Sequence, residues 1–362
     1  LRERGLQAEF SKQFTRLQNE IDALPKRSTS DYLKGMVSSH FMCYYVTTDN
    51  LDEDNDAVQQ YEDSLDLFYI ITKFKIACEK ANRLNVLSIP MEPEASLAHV
   101  DFSGMHVYEQ HSLLLLYREI YQLVARYNEA SYARIEAMLP ENTGKAAPDE
   151  LQRIMSYLYN YASSQIRNGR EEFWDKMHWL NKFGVEHAIF LHEGSMSVTK
   201  FNNIVSIACN MNDVEWASFF IKSQSRFLPE HLRADAVLLA DATVFFEKRA
   251  YDEILKMLEG KDFKDLLDNI RAKALILKSQ YETGDREGRL WDLCSVFEAF
   301  LGRQDRKKIG AVTASINFTR ILKLLTRKNA YKDKIINDIE TKQPLYFKSW
   351  LLEKAKDYTR LA

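Results

Sequence analysis

Histidines, carboxylates, thiols and basic clusters are the groups through which this chain could do chemistry, and their spacing decides which reactions are open to it. The tightest histidine pairs are His106 with His111 and His187 with His192, the second pair lying beside Glu186 and Glu193. A spacing of five places neither pair on one helical face, where paired zinc ligands sit four residues apart. No preformed metal site is expected. Cys43, Cys78, Cys209 and Cys294 are far apart and form no C-x-x-C pair. They are expected to be free thiols in a reducing compartment, and the cytoplasm is the expected location. Neighbouring carboxylates such as Glu171 and Glu172 are weak evidence of acid–base work, because catalytic pairs are brought together by the fold. The sequence contains no G-x-S-x-G, H-E-x-x-H, P-loop or G-x-G-x-x-G segment. Those motifs announce nucleophile elbows, metalloproteases and nucleotide sites. No catalytic, cofactor-binding or metal-binding residue is assigned, and the chain is expected not to be an enzyme.

Charge offers a different kind of site. The formal net charge of −3 gives no global attraction to nucleic acid or acidic membranes, yet the balance is locally uneven. Residues 49–66 carry eight acidic side chains and no basic one, whereas residues 303–360 have a net charge of +9. Arg303, Arg306, Lys307 and Lys308 form one basic corner, and Arg327 with Lys328 forms another. These six are the candidate partner-binding residues. Aromatic residues are abundant, with 18 Tyr, 20 Phe and 5 Trp, but most stand at core spacing. Tyr117, Tyr121, Tyr127, Tyr157, Tyr161, Trp174, Trp179 and Trp216 are therefore read as packing between helices.

The elements that must carry these groups are helices. At 362 residues the chain exceeds a usual single core, and its 12 Gly and 7 Pro are too few for the frequent turns of a β-sandwich or barrel. No apolar run approaches the ~18 residues that a membrane span needs, and no signal-peptide pattern is seen. Apolar spacing predicts a helix over 7–24 ending at Pro25, and a second one capped by Ser30 or Asp31 and running to about Thr48. Long helices are predicted over 57–87 and 106–139, separated by an irregular segment at 88–104. The sequence PENTGKAAPDE, residues 140–150, is the linker candidate. It divides the chain into a region of long helices, 1–140, and a more regular region, 148–362.

In the second region helical stretches turn at five polar corners: RNGREEFW, NMNDVEWA, EKRAYDEIL, ETGDREGRLWDL and RKNAYKDKI. Gly169, Asn212, Gly284 and Asn329 suit the left-handed conformation that closes a helix, and Arg249 is the exception. Corner intervals of 35 to 45 residues match the period of helical-hairpin repeats. The predicted architecture is all-α, an α-α superhelix of antiparallel hairpins with long helices in the N-terminal part, the two regions being either separate or one continuous array.

Residues 197–301 resemble a degenerate tetratricopeptide-type solenoid. Ala242, Phe245, Arg249, Ala250, Tyr251 and Ile254 stand at places that correspond to that family's corner, as do Asn212, Asp213, Val214 and Ala217, and Gly284, Asp285 and Arg286. The segment FFEKRAYDEILKMLEGKDFKDLLDNIRAKALILKSQYETGD, taken with the ending PLYFKSWLLEKAKDY, is also similar to uncharacterised bacterial helical-repeat proteins. That likeness implies a fold and no activity. It further implies that residues 344–358 form a terminal helix whose Lys348, Lys354 and Lys356 give the outer surface of a stack.

Three functions are consistent with these features. The first is a non-catalytic scaffold that binds a protein or peptide on an extended helical surface. Nucleic-acid binding through the basic C-terminal third is the second, and an enzyme with an unrecognised site is the third.

Overall fold

Residues 5–23, 27–46, 56–103, 108, 110–284, 288–304, 309–327 and 331–358 are described by a computed structural model. Among them are sixteen α-helices and no β-strand, with one isolated β-bridge between Thr143 and Ala146. No helix of the described residues is long and apolar enough to cross a membrane. The chain divides into two compact units, Leu1–His192 and Glu193–Ala362.

The first unit holds α1 (Gln7–Ala23), α2 (Thr29–Phe41), α3 (Asp56–Leu87), α4 (Ser112–Ala125), α5 (Ala130–Asn142), α6 (Pro148–Arg167) and α7 (Phe173–Glu186). Pro25 and Thr48, the expected ends of the first two helices, lie outside the described residues. The cap of α2 is Ser28 rather than Ser30 or Asp31. Its hydroxyl accepts from the Asp31 amide, and the Asp31 carboxylate accepts from the Ser28 amide at 2.9 Å. That reciprocal pair satisfies two helix-end donors at once, which no cap farther along could do. Beyond Phe41 the chain widens into a π-turn over Met42–Val46.

Helix α3 keeps its full predicted length and packs between α2 and α4, burying Leu67, Ile70, Ile71, Phe74, Ala77, Cys78 and Ala81. The predicted helix over 106–139 is two helices, α4 and α5, broken at 126–129. Tyr127 adopts φ 55°, and the Asn128 amide returns to the Gln122 carbonyl at 2.9 Å. Asn85 of α3 makes the break favourable by donating to the Val124 carbonyl at 2.8 Å and accepting from the Tyr127 hydroxyl at 3.1 Å. A carbonyl that the continued helix would have used is thereby satisfied from another element. Tyr127 is correspondingly exposed and is not core.

The second unit runs through α8 (Val198–Asn210), α9 (Val214–Gln224), α10 (Glu230–Glu247), α11 (Tyr251–Leu258), α12 (Leu266–Glu282), α13 (Arg289–Gly302), α14 (Ile309–Leu325), α15 (Lys332–Thr341) and α16 (Lys348–Lys356). Each helix packs on the next, and the even-numbered ones also touch in succession from α8 to α16. One core joins α10, α11 and α12 through Leu239, Phe246, Ile254, Leu258 and Leu275. A second joins α12 to α16 through Leu277, Phe297, Phe318, Ile335 and Leu351. Helix α12 has neighbours on several sides, and ten of its residues, from Asn269 to Tyr281, are buried.

Several corners share one geometry. At Gly169, Asn212 and Arg249, φ is 87°, 57° and 59°. The following amide reaches back five residues in each case: Arg170 to Gln165, Asp213 to Ala208 and Ala250 to Phe245. Ala188 closes α7 in the same way, with Ile189 bonded to Gly184. These are Schellman closures, which satisfy the last carbonyls of a helix. Arg249, the residue type least suited to the position, adopts it all the same. Left-handed backbone costs a residue with a Cβ about 1–2 kcal/mol. Arg249→Gly is therefore expected to stabilise the chain by about 1 kcal/mol, read as a higher urea midpoint. Asn329 lies outside the described residues.

Candidate functional site

Of the six basic candidates, Arg306, Lys307, Lys308 and Lys328 lie outside the described residues. Arg303 is exposed at the C-terminal cap of α13. Arg327 follows α14, with its guanidinium 5.8 Å from the Trp291 ring in the first turn of α13. Twelve residues of helix separate Trp291 from Arg303, about 18 Å along the axis. The fold places the two described arginines near opposite ends of one helix and does not gather them into a single patch.

A groove opens instead where α11, α12 and α13 meet. Leu255, Ile276, Leu277, Leu293, Val296 and Phe297 line a space of about 140 Å³, with Glu259, Lys273 and Arg289 beside it. An apolar cavity of roughly 150 Å³ is enough to admit benzene, so the groove has room for one large side chain. Val296 is 62% exposed although it is aliphatic, and no described residue closes that side. Both cations at the rim are lightly engaged. Arg289 pairs with Glu259 at 2.5 Å between half-exposed side chains. Lys273 stands 3.8 Å from Asp262, whose side chain is 90% exposed, and 5.2 Å from the Phe300 ring. Exposed pairs of this kind contribute little and are readily exchanged for another anion.

On the same helix α12, one residue beyond Leu277, Lys278 is 7% exposed. Its ammonium lies 3.8 Å from the Phe246 ring centroid, 4.7 Å from that of Phe347 and 5.4 Å from that of Trp350. Burial pulls its pKa down to about 8, against the opposing pull of Glu247 and Glu282. Burial also raises the Glu247 carboxyl, which Lys278 partly offsets. The Trp350 indole N–H donates to Glu282 at 2.8 Å, and Lys354 pairs with the same carboxylate at 2.8 Å. Lys354 thus turns into the fold rather than outward as the terminal-helix resemblance implied. Because the amine meets ring faces from α10 and α16, its chemistry is that of a cation–π clamp holding the last helix.

No group of three or more His, Cys, Asp or Glu is placed to hold a metal among the described residues. His106 lies outside them, and the His187 ring lies tilted against the Phe183 ring at 4.6 Å. Neither the groove nor the lysine clamp was legible in the sequence. The one signal was a lysine inside the apolar stripe of Ile270, Ala274, Leu277 and Tyr281, where a solvated charge does not belong. The groove left no signal, since its lining is ordinary core composition. No protein-family model, curated protein or solved structure matches this chain.

Proposed function

We propose that the chain is a non-catalytic binding scaffold, and that its C-terminal unit holds a peptide segment of a protein partner in the groove between α11, α12 and α13. The supporting observation is an apolar groove, open at Val296 and flanked by Lys273 and Arg289. Such a surface suits a segment that buries one large aliphatic or aromatic side chain and sets a carboxylate beside each cation. The succession of packed helices from α8 to α16 is what supports reading this unit as an α-solenoid, in which neighbouring pairs bury each other's apolar faces and leave grooves between them.

Peptide display against the full chain tests the reading. Selected peptides are expected to carry a large apolar residue flanked by Asp or Glu. Their affinity should fall at least tenfold, about 1.4 kcal/mol, in Val296→Asp and in Arg289→Glu. Selected peptides indifferent to both changes would overturn it. Nucleic-acid binding draws on one continuous basic surface, and the separation of Arg303 from Arg327 gives it less support. An enzyme would need polar groups converging on a cavity, whereas this groove is lined mainly by aliphatic and aromatic side chains.

A further inference from the structure

Helix α3 presents a second apolar line that the described residues leave exposed. Val58 is 60% exposed, Leu65 39%, Tyr69 38% and Ile76 44%. Their spacings of seven, four and seven residues bring all four within about 40° of one another around a helix of 3.6 residues per turn. They form a narrow seam about 27 Å long on the helix, which continues its other face into the core through Leu67, Ile70, Ile71 and Phe74. A seam of this period is the kind that one helix offers to another.

We propose that a second copy of this chain occupies the seam, with the two α3 helices antiparallel about a twofold axis. The reason for choosing a second copy is that the seam is palindromic. Reversing the helix about a point near residue 67 exchanges Val58 with Ile76 and Leu65 with Tyr69. An isologous dimer requires a surface that complements itself in this way. Charge agrees with the geometry. Exposed Glu62 and Asp66 flank the N-terminal half of the seam, and half-buried Lys73 and Lys80 flank the C-terminal half on the same side. In an antiparallel pair that side meets its own reverse, so Glu62 comes beside Lys73 of the second copy. A parallel twofold pair would instead set that side against the opposite flank of the seam, where Glu62 meets Tyr61 and Lys73 meets Thr72 and no opposite charges are joined. The interface belongs to the N-terminal unit and stands independently of the peptide groove.

Sedimentation of the full chain at rising concentration is the test, joined to cross-linking of paired cysteine variants. The expected result is a monomer–dimer equilibrium whose dissociation constant rises at least a hundredfold in Leu65→Glu. That position is exposed, so an unchanged helical circular dichroism spectrum should confirm folding. Glu62→Lys should weaken the dimer, and adding Lys73→Glu should restore it. Mixing Val58→Cys with Ile76→Cys chains should give mostly mixed disulfide dimers. A strictly monomeric chain overturns the proposal. So does a dimer insensitive to Leu65→Glu, or cross-linking of Val58→Cys chains chiefly to themselves.

Discussion

Replacing Glu150 with alanine is expected to destabilise the N-terminal unit by about 3–5 kcal/mol, the range for removing one partner of a buried ion pair. Glu150 is 5% exposed and gathers groups from three other helices. Lys75 of α3 meets one carboxylate oxygen at 2.6 Å, and the Thr29 hydroxyl of α2 donates to that oxygen at 3.0 Å. The Tyr117 hydroxyl of α4 donates to the other at 2.5 Å. Lys75 also donates to Thr29 at 2.9 Å and faces the Tyr117 ring at 5.7 Å. With the carboxylate gone, the largely buried Lys75 ammonium keeps only the Thr29 hydroxyl and the buried Tyr117 phenol loses its acceptor. Leaving such groups unmatched costs more than forming the network gained. Urea unfolding of Glu150→Ala measures the loss. The double change Lys75→Met with Glu150→Leu should recover more than half of it, since both charges then leave together. Acid should reproduce part of the effect. Burial pushes the Glu150 carboxyl upward, but hydrogen bonds from Lys75 and Tyr117 outweigh it and the net shift is downward. A depressed folded value means the stabilisation is complete above the ordinary carboxylate range and is lost as pH falls through the folded value. The gap between wild type and Glu150→Ala should therefore narrow below about pH 4.

The second large effect is a pH-dependent gain from Lys278→Met. Lysine ionises near 10.4 in an unfolded chain and at about 8 here, chiefly because of burial. Below pH 8 both states carry the proton, and the folded state bears the full cost of a buried charge. Between pH 8 and 10.4 the folded lysine is neutral while the unfolded one is still charged, so stability rises with pH by about 1.4 kcal/mol per unit. Methionine keeps the volume and the ring contacts without the charge. Lys278→Met should be more stable than wild type at pH 7, and the advantage should shrink steadily from pH 8 to 10. The other titrating groups are common to both chains, apart from Glu247 and Cys209, whose ionisation Lys278 also shifts. A gap that stays constant with pH would show that the clamp is not strained by its charge.

Where the two readings of the chain part, local pattern met a partner from elsewhere. Residues 106–139 carry helical spacing throughout, and the break at Tyr127 depends on Asn85, some forty residues away and able to compete for the Val124 carbonyl. PENTGKAAPDE reads as a linker because it is polar and holds two prolines. Its last residue, Glu150, is nevertheless the carboxylate that ties α6 to α2, α3 and α4, so the compact units divide at 192/193 instead. Arg303 and Arg327 share a basic region of sequence, and the length of α13 separates them in space.

The amino-acid sequence alone determined that the chain is helical, that α3 is unusually long, and that corners fall at Gly169, Asn212 and Arg249. Each of these depends on neighbours within a turn or two, through apolar period and backbone closure. Tertiary structure decided the rest: which apolar residues remain uncovered at Val296 and along α3, and which charged ones, Lys75, Glu150 and Lys278, go inside. Exposure and ionisation are set by what packs against a residue from distant parts of the chain, and one-dimensional spacing carries no record of that.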